Sequence, residues 1–410
     1  MIPFRRLPAR VPWTLACVVL ATACVWRGHA SEAGSECNRA TDQPIVHVRL
    51  PGNPFQAMAT PDGCWVFVTM LQGSADAKEG LAVIRRGGGV LDVMRVVGDI
   101  GAPAGMTMTH DGRVLVVAAQ DRVAFLDVSR VVEGGANPVL GVLREGRGVG
   151  AVATTVTSND SLLFVSNEQG EAITVVNLFQ TRRSGFAAPV VIGRVAARVP
   201  ISVVLSPDER LLYATSMSAP PSFGWPLECD GPAPTAPTSA RVPQGAVLVI
   251  DVSRAAEGRP DAVVGVVPAG CSPERLVLSP DGATAYVTAR GDNMLRAFDT
   301  RRLPADTAHA LLARFPVGTA PVGVLAIADG RIVVVVSSDR LAGDPADHQE
   351  LSVMDVSRLS AGAGARIGTI PAGSLPRELR TTADGRTLLL TNFGSRTLEV
   401  IDVARVIQRP

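Results

Sequence analysis

Glu274-Arg275-Leu276-Val277-Leu278, then Ser279-Pro280-Asp281-Gly282, then Ala285-Tyr286-Val287-Thr288: this stretch decides the fold. The flanking runs are short and rich in apolar, β-branched and aromatic residues, as strands are. Between them Pro280 presets φ and Gly282 supplies positive φ, so the four central residues read as a tight turn. Two runs joined by such a turn are antiparallel neighbours. Residues 295–298 continue as a third strand and, after a polar connection, residues 311–317 as a fourth.

The same pattern occurs seven times. An anchor residue (Pro54, Pro103, Ala151, Pro200, Pro273, Pro321, Pro376) stands eight residues before a turn residue (Asp62, Asp111, Asn159, Asp208, Asp281, Asp329, Asp384). Most anchors are about 49 residues apart, and two intervals carry insertions. A repeat of this length is one supersecondary unit that buries its faces only against its neighbours. Seven four-stranded units arranged radially make an all-β, seven-bladed β-propeller. The last unit supplies only three strands, and residues 45–50, ahead of the first anchor, supply the missing fourth. The two ends then share blade seven, and the ring has no open seam. Third strands end at Asp127, Asp251, Asp299, Asp355 and Asp402, which read as structural turn residues. Ser129, Ser253 and Ser357 are expected to cap short helical turns closed by Gly134, Gly258 or Gly362.

With these residues assembled, the chain resembles the YVTN-type repeat β-propellers, related to the seven-bladed lactonase-like propellers. Ser279-Pro280-Asp281-Gly282 with Ala285-Tyr286-Val287-Thr288 carries the likeness, as do Ser206-Pro207-Asp208 with Leu212-Tyr213-Ala214-Thr215, and Thr391-Asn392 and Ser166-Asn167. It covers residues 45–410 and implies the fold. Asn167-Glu168 is similar to a segment of lactonase-like enzymes, which makes lactone hydrolysis the enzymatic alternative, although the His-bearing segments expected beside it are absent.

Residues 1–30 read as an export signal: Arg5, Arg6 and Arg10, an apolar stretch over 11–26, then a small-residue cleavage site at Gly28 and Ala30. A lipoprotein signal ending at Cys24 is the alternative and would place the protein on a membrane. Residues 31–44 are expected to be a linker and 45–410 the propeller. Removing 1–30 leaves 35 basic against 38 acidic residues with no basic stripe, which argues against nucleic acid as a partner. Lys78 is the only lysine. The histidines beyond the signal (His47, His110, His309, His348) fall into no H-E-x-x-H set, and no G-x-S-x-G occurs. Gly146-x-Gly148-x-x-Ala151 precedes a strand rather than opening a helix, so it reads as a blade crossing. Asp339, Asp344, Asp347 and Glu350 match no calcium loop. No cofactor or metal is called for, and a monomer is expected.

In such a blade the first-to-second and third-to-fourth connections share one face, the turn face. The second-to-third connections and the crossings between blades share the other. Insertions at 70–80, 216–245 and 337–350 all extend this second face, and the Pro-rich 216–245 loop with Trp225 is the longest. Long ordered loops on a rigid scaffold often carry binding. Glu168, Arg198, Trp225, Arg275, Arg290, Arg377 and Asn392 are therefore the candidate ligand residues, and several Arg at one opening suit an anionic group. Local ion pairs of Arg275 with Glu274 and Arg377 with Glu378 are the structural alternative. The reading is an exported binding or scaffold module for a protein or a small anionic ligand. Four cysteines follow the signal, and the faces select among their three pairings. Cys37 and Cys64 fall on the turn face, Cys229 and Cys271 on the other, so Cys37–Cys64 and Cys229–Cys271 are expected.

Overall fold

The structure is a computed structural model that describes residues 37–39, 41–223, 225, 229, 244–338 and 349–407. The sequence-based reading of residues 1–30, Cys24, most of the 216–245 loop, Asp339, Asp344, Asp347 and His348 falls outside the described residues.

Seven four-stranded antiparallel sheets form a closed ring, a seven-bladed β-propeller. Blade five shows the plan: β18 (Pro273–Leu278), β19 (Thr284–Ala289), β20 (Met294–Asp299) and β21 (Leu311–Pro316) run from the channel outwards. The first strands of all blades pack side by side around the channel. Alternation buries Ala285, Val287, Leu295 and Ala297 between neighbouring blades. Closely packed apolar clusters fill the interblade seams; one joins Phe164, Ile173 and Val175 of blade three to Leu212, Leu248 and Ile250 of blade four.

Blade seven is closed from both ends of the chain. β1 (Ile45–Arg49) pairs antiparallel with β28 (Thr397–Asp402), Ile45 opposite Ile401 and Arg49 opposite Thr397. The closure is reinforced on the turn face. Cys37 is bonded to Cys64, with a Cα–Cα distance of 4.8 Å. Beside it the buried Arg86 donates to Thr387 Oγ1 of blade seven at 2.9 Å and to Asn38 Oδ1 at 3.4 Å. Cys229 is bonded to Cys271, the last residue of blade four's outer strand, at a Cα–Cα distance of 5.5 Å.

Asp127, Asp251, Asp355 and Asp402 do cap short helices, but with their own carboxylates rather than through a following Ser, while Asp299 opens a turn. Asp127 Oδ1 accepts from Arg130 N at 3.0 Å, and Asp251 Oδ1 from Arg254 N at 2.9 Å. Ser129 instead donates to Asp127, which orients the cap. Gly134 ends the first of these helices at φ 76°, and Gly258 ends the second at φ 68°, just past the C-cap Glu257, with its N–H on Ala255 O at 3.0 Å, both as expected.

A second-strand hydroxyl ties most blades to the next. Thr288 Oγ1 accepts from Arg275 N in its own first strand at 3.0 Å and donates to Val322 O of blade six at 2.9 Å. Thr69, Ser166, Thr215 and Thr391 repeat this, donating to Ala104, Ile201, Glu274 and Phe55 carbonyls. In blade two the position is Ala118, and direct backbone bonds such as Gly105 N to Val152 O (2.9 Å) replace the hydroxyl. In blade six it is Val336.

Candidate functional site at the channel mouth

Two tiers of side chains surround the mouth on the insertion face. The first comes from the residue after each anchor. Blades one to four contribute Phe55, Ala104, Val152 and Ile201, which pack together. Blades five, six and seven contribute Glu274, Val322 and Arg377. The second tier comes from the end of each second strand, Leu71 as its last residue in blade one and Gln120, Glu168, Met217, Arg290, Ser338 and Phe393 just after it in the others.

Backbone geometry sets this arrangement. The residue before several anchors adopts left-handed φ: Gly150 (70°), Val199 (48°), Ser272 (48°), Ala320 (48°) and Leu375 (50°). Its carbonyl thereby accepts from the second-tier N–H, as in Arg290 N to Ser272 O (3.1 Å), Phe393 N to Leu375 O (2.9 Å) and Glu168 N to Gly150 O (2.9 Å). The non-glycine residues carry strain here, which the surrounding ring offsets.

The enclosed cup has a volume of about 630 Å³. One side is mostly apolar, with Gln120 and Glu168 among its residues. The other holds Arg275, Arg290 and Arg377 with Glu274, and Glu378 stands below them in the channel. Arg275 Nε donates to Glu378 Oε1, and Glu274 pairs with Arg290 and stands 3.7 Å from Arg275. The Arg275–Glu378 bond runs from blade five to blade seven, across blade six, where the matching position is Gly323. A Cβ there would meet Arg377 O at 2.7 Å, so the close approach of blade six to blade seven requires glycine. Burial works against the charge on Arg275, but Glu378 and Glu274 outweigh it and raise its pKa. A smaller cavity of about 220 Å³ lies deeper in the channel, and Phe55, Val152 and Arg275 border both.

Arg377 lies over the Phe55 ring at 4.6 Å and the Phe393 ring at 5.8 Å, a cation–π arrangement that fixes its plane in the cup wall. Glu168 comes from blade three. Its half-buried carboxylate makes no hydrogen bond or ion pair among the described residues. Burial pushes its pKa up, and Glu274 pushes the same way, against the weaker pull of the three arginines.

Of the candidates read from sequence, Glu168, Arg275, Arg290 and Arg377 meet at the mouth. Arg198, Asn392 and Trp225 do not. Arg198 stands outside it, half-exposed, 3.8 Å from Glu171. Asn392 is buried within blade seven, donating to Glu399 Oε1 at 2.8 Å. Trp225 packs on the blade three–four core with its ring 4.9 Å from Phe223. The local-pairing alternative holds for Arg275 with Glu274, although Arg275 also donates to Glu378 of blade seven, and Arg377 is additionally packed on aromatic rings. Sequence reading missed Phe55, Phe393, Leu71 and Met217. Counting one and seventeen residues from each anchor would have found them.

No protein-family model matches the chain, and no curated protein matches it. Solved structures do. A chain of the Kuenenia stuttgartiensis hydrazine synthase aligns with a TM-score of 0.61 at 17% identity, covering 90% of this chain and 98% of that one. The Myceliophteria thermophila Cps50 (Swd1) β-propeller domain aligns with a TM-score of 0.60 at 12% identity, covering 87% and 98%. At these identities the likeness shows the fold alone.

Proposed function

We propose that this protein is an exported binding module whose channel mouth holds a small ligand with an anionic group and an apolar body. The observation that carries the reading is the two-sided cup: three guanidinium groups face a wall built from Phe55, Val152, Ile201 and Met217. Its size is that of a small-molecule site. The planar fork of Arg377, held on two rings, suits a carboxylate or phosphate. Export is supported by the two disulfides, which persist in oxidising compartments. No helix among the described residues is long and apolar enough to cross a membrane.

The test is calorimetric titration of purified protein with short-chain carboxylates. Arg377→Ala should weaken binding about tenfold, with the melting curve of the variant as the control for its fold. Unaltered affinity would remove Arg377 from the site. Arg275→Ala is a poor probe, because it strands Glu274 and Glu378 and destabilises the fold.

Lactone hydrolysis remains the enzymatic alternative. Glu168 favours it, being a carboxyl of raised pKa inside the cup. Turnover of a simple lactone by wild-type protein, lost in Glu168→Gln, would establish it.

A further inference from the structure

We infer that the ligand of the cup is a zwitterion, its carboxylate directed to the arginines of blades five and seven and an ammonium group to Glu168 of blade three. The inference rests on the proposal above that the cup is the binding site, and it names the class of ligand.

Three observations carry it. First, Glu168 is the one carboxylate at the mouth without a protein partner among the described residues, since Glu274 and Glu378 are held by Arg290 and Arg275. A carboxylate withdrawn from water gains most from a cation brought to it. Second, position in the ring separates the charges. Blade three lies across the channel from blade seven, with blades one and two between them on one side and four to six on the other. Third, apolar side chains make up most of the wall between these poles, Phe55 and Val152 along one arc and Ile201, Met217 and Val322 along the other, with Gln120 and Ser338 as uncharged polar interruptions. A ligand filling this space has charged ends of opposite sign and an apolar middle.

A divalent metal ion fits less well. It needs six or more oxygen ligands or several waters, and among the described residues Glu168 is the only carboxylate at the mouth not already engaged by arginine. A simple organic anion fits the arginines but leaves Glu168 facing an apolar body.

Three probes of equal chain length separate these cases: hexanoate, hexylammonium and 6-aminohexanoate. Each is titrated calorimetrically into wild-type protein, Glu168→Gln and Arg377→Ala. The expected result is that wild type binds 6-aminohexanoate about tenfold more tightly than hexanoate. Glu168→Gln should bring the two within about twofold, and Arg377→Ala should weaken both by about tenfold. Glu168→Gln preserves shape and removes no protein contact, so its fold is not at risk; its melting curve is the control. If wild type binds hexanoate as tightly as 6-aminohexanoate, and Arg377→Ala weakens both, the zwitterion is overturned and the anion site stands. If a gain for 6-aminohexanoate persists in Glu168→Gln, the role of Glu168 is overturned. If none of the probes binds wild type, both the zwitterion and the anion site fall.

Discussion

Thr288 shows how much one side chain does in this ring. Its hydroxyl satisfies the Arg275 N–H and reaches Val322 O in the next blade. Thr288→Val keeps the shape and removes both bonds, leaving a buried donor and acceptor unpaired. The expected loss is about 1–3 kcal/mol, read from urea denaturation; Thr288→Ser should lose much less. An unchanged midpoint for the valine variant would mean that packing alone holds the seam. Glu168 gives the second prediction at this scale. Its folded-state pKa lies above the unfolded value. Its contribution to folding is therefore fully present below the unfolded pKa and is lost as pH rises through the folded pKa. Glu168→Gln should melt higher than wild type at pH 7, and the gap should close as pH falls below 4. A gap independent of pH would contradict the shift. Sequence made the Thr288 motif visible but not its reason, because the acceptor belongs to the next repeat. The Arg275–Glu378 bond was less legible still: its partners are 103 residues and two blades apart, and only the curvature of the ring brings them together.

At the level of strands, the repeat was readable because each blade uses its own local chemistry. Thr109 or Ser206 donates to the turn Asp two residues on, at 2.7 and 2.6 Å, so each turn carries its own internal bond, and contacts from the next blade, such as Asp160 with His110 N at 3.0 Å, are added to it. Closure followed from counting strands, and the cysteine pairing from which face each strand end reaches. Site placement was readable to within a residue, and one residue decides direction. Thr391 reaches Phe55 O of the next blade, while Asn392 turns into its own blade. Arg198 lies just ahead of Val199, whose left-handed φ swings the chain, so Arg198 is left outside the mouth and Ile201 lines it. Deleting residues 31–50 removes β1 and the Cys37–Cys64 bond together. That variant should melt far below the parent and be cleaved rapidly by protease within blade seven. A parent-like melting curve would refute closure by this strand.

For the whole molecule, the seams between blades are not equal. Hydroxyl clamps or backbone bonds join most neighbours, but blade six offers Val336 toward blade seven. That seam relies on apolar packing of Val322 and Val336 against Leu379, Leu388 and Leu390, and on the Arg275–Glu378 bond passing over it. It should be the first to open. Hydrogen exchange under native conditions should reach the amides of Pro321–Ile327 and Pro376–Thr381 before those of Pro200–Leu205 and Pro273–Leu278. Uniform protection around the ring would show that the clamps do not set the order. The seam also borders the cup, whose charged wall comes from blade five and blade seven on either side of blade six.

The closing strand has one more effect. Cys37 is held against Cys64, and β28 delivers the chain to the helix Val403–Ile407 at the same end of the blade, where Asp402 N bonds Pro44 O. Both extremities of the described propeller therefore emerge on the side away from the cup. A bead, electrode or lipid layer coupled through either extremity would hold the molecule with its opening turned outward, into the bulk medium. Capture of a dilute solute would then need no reorientation of the immobilised protein.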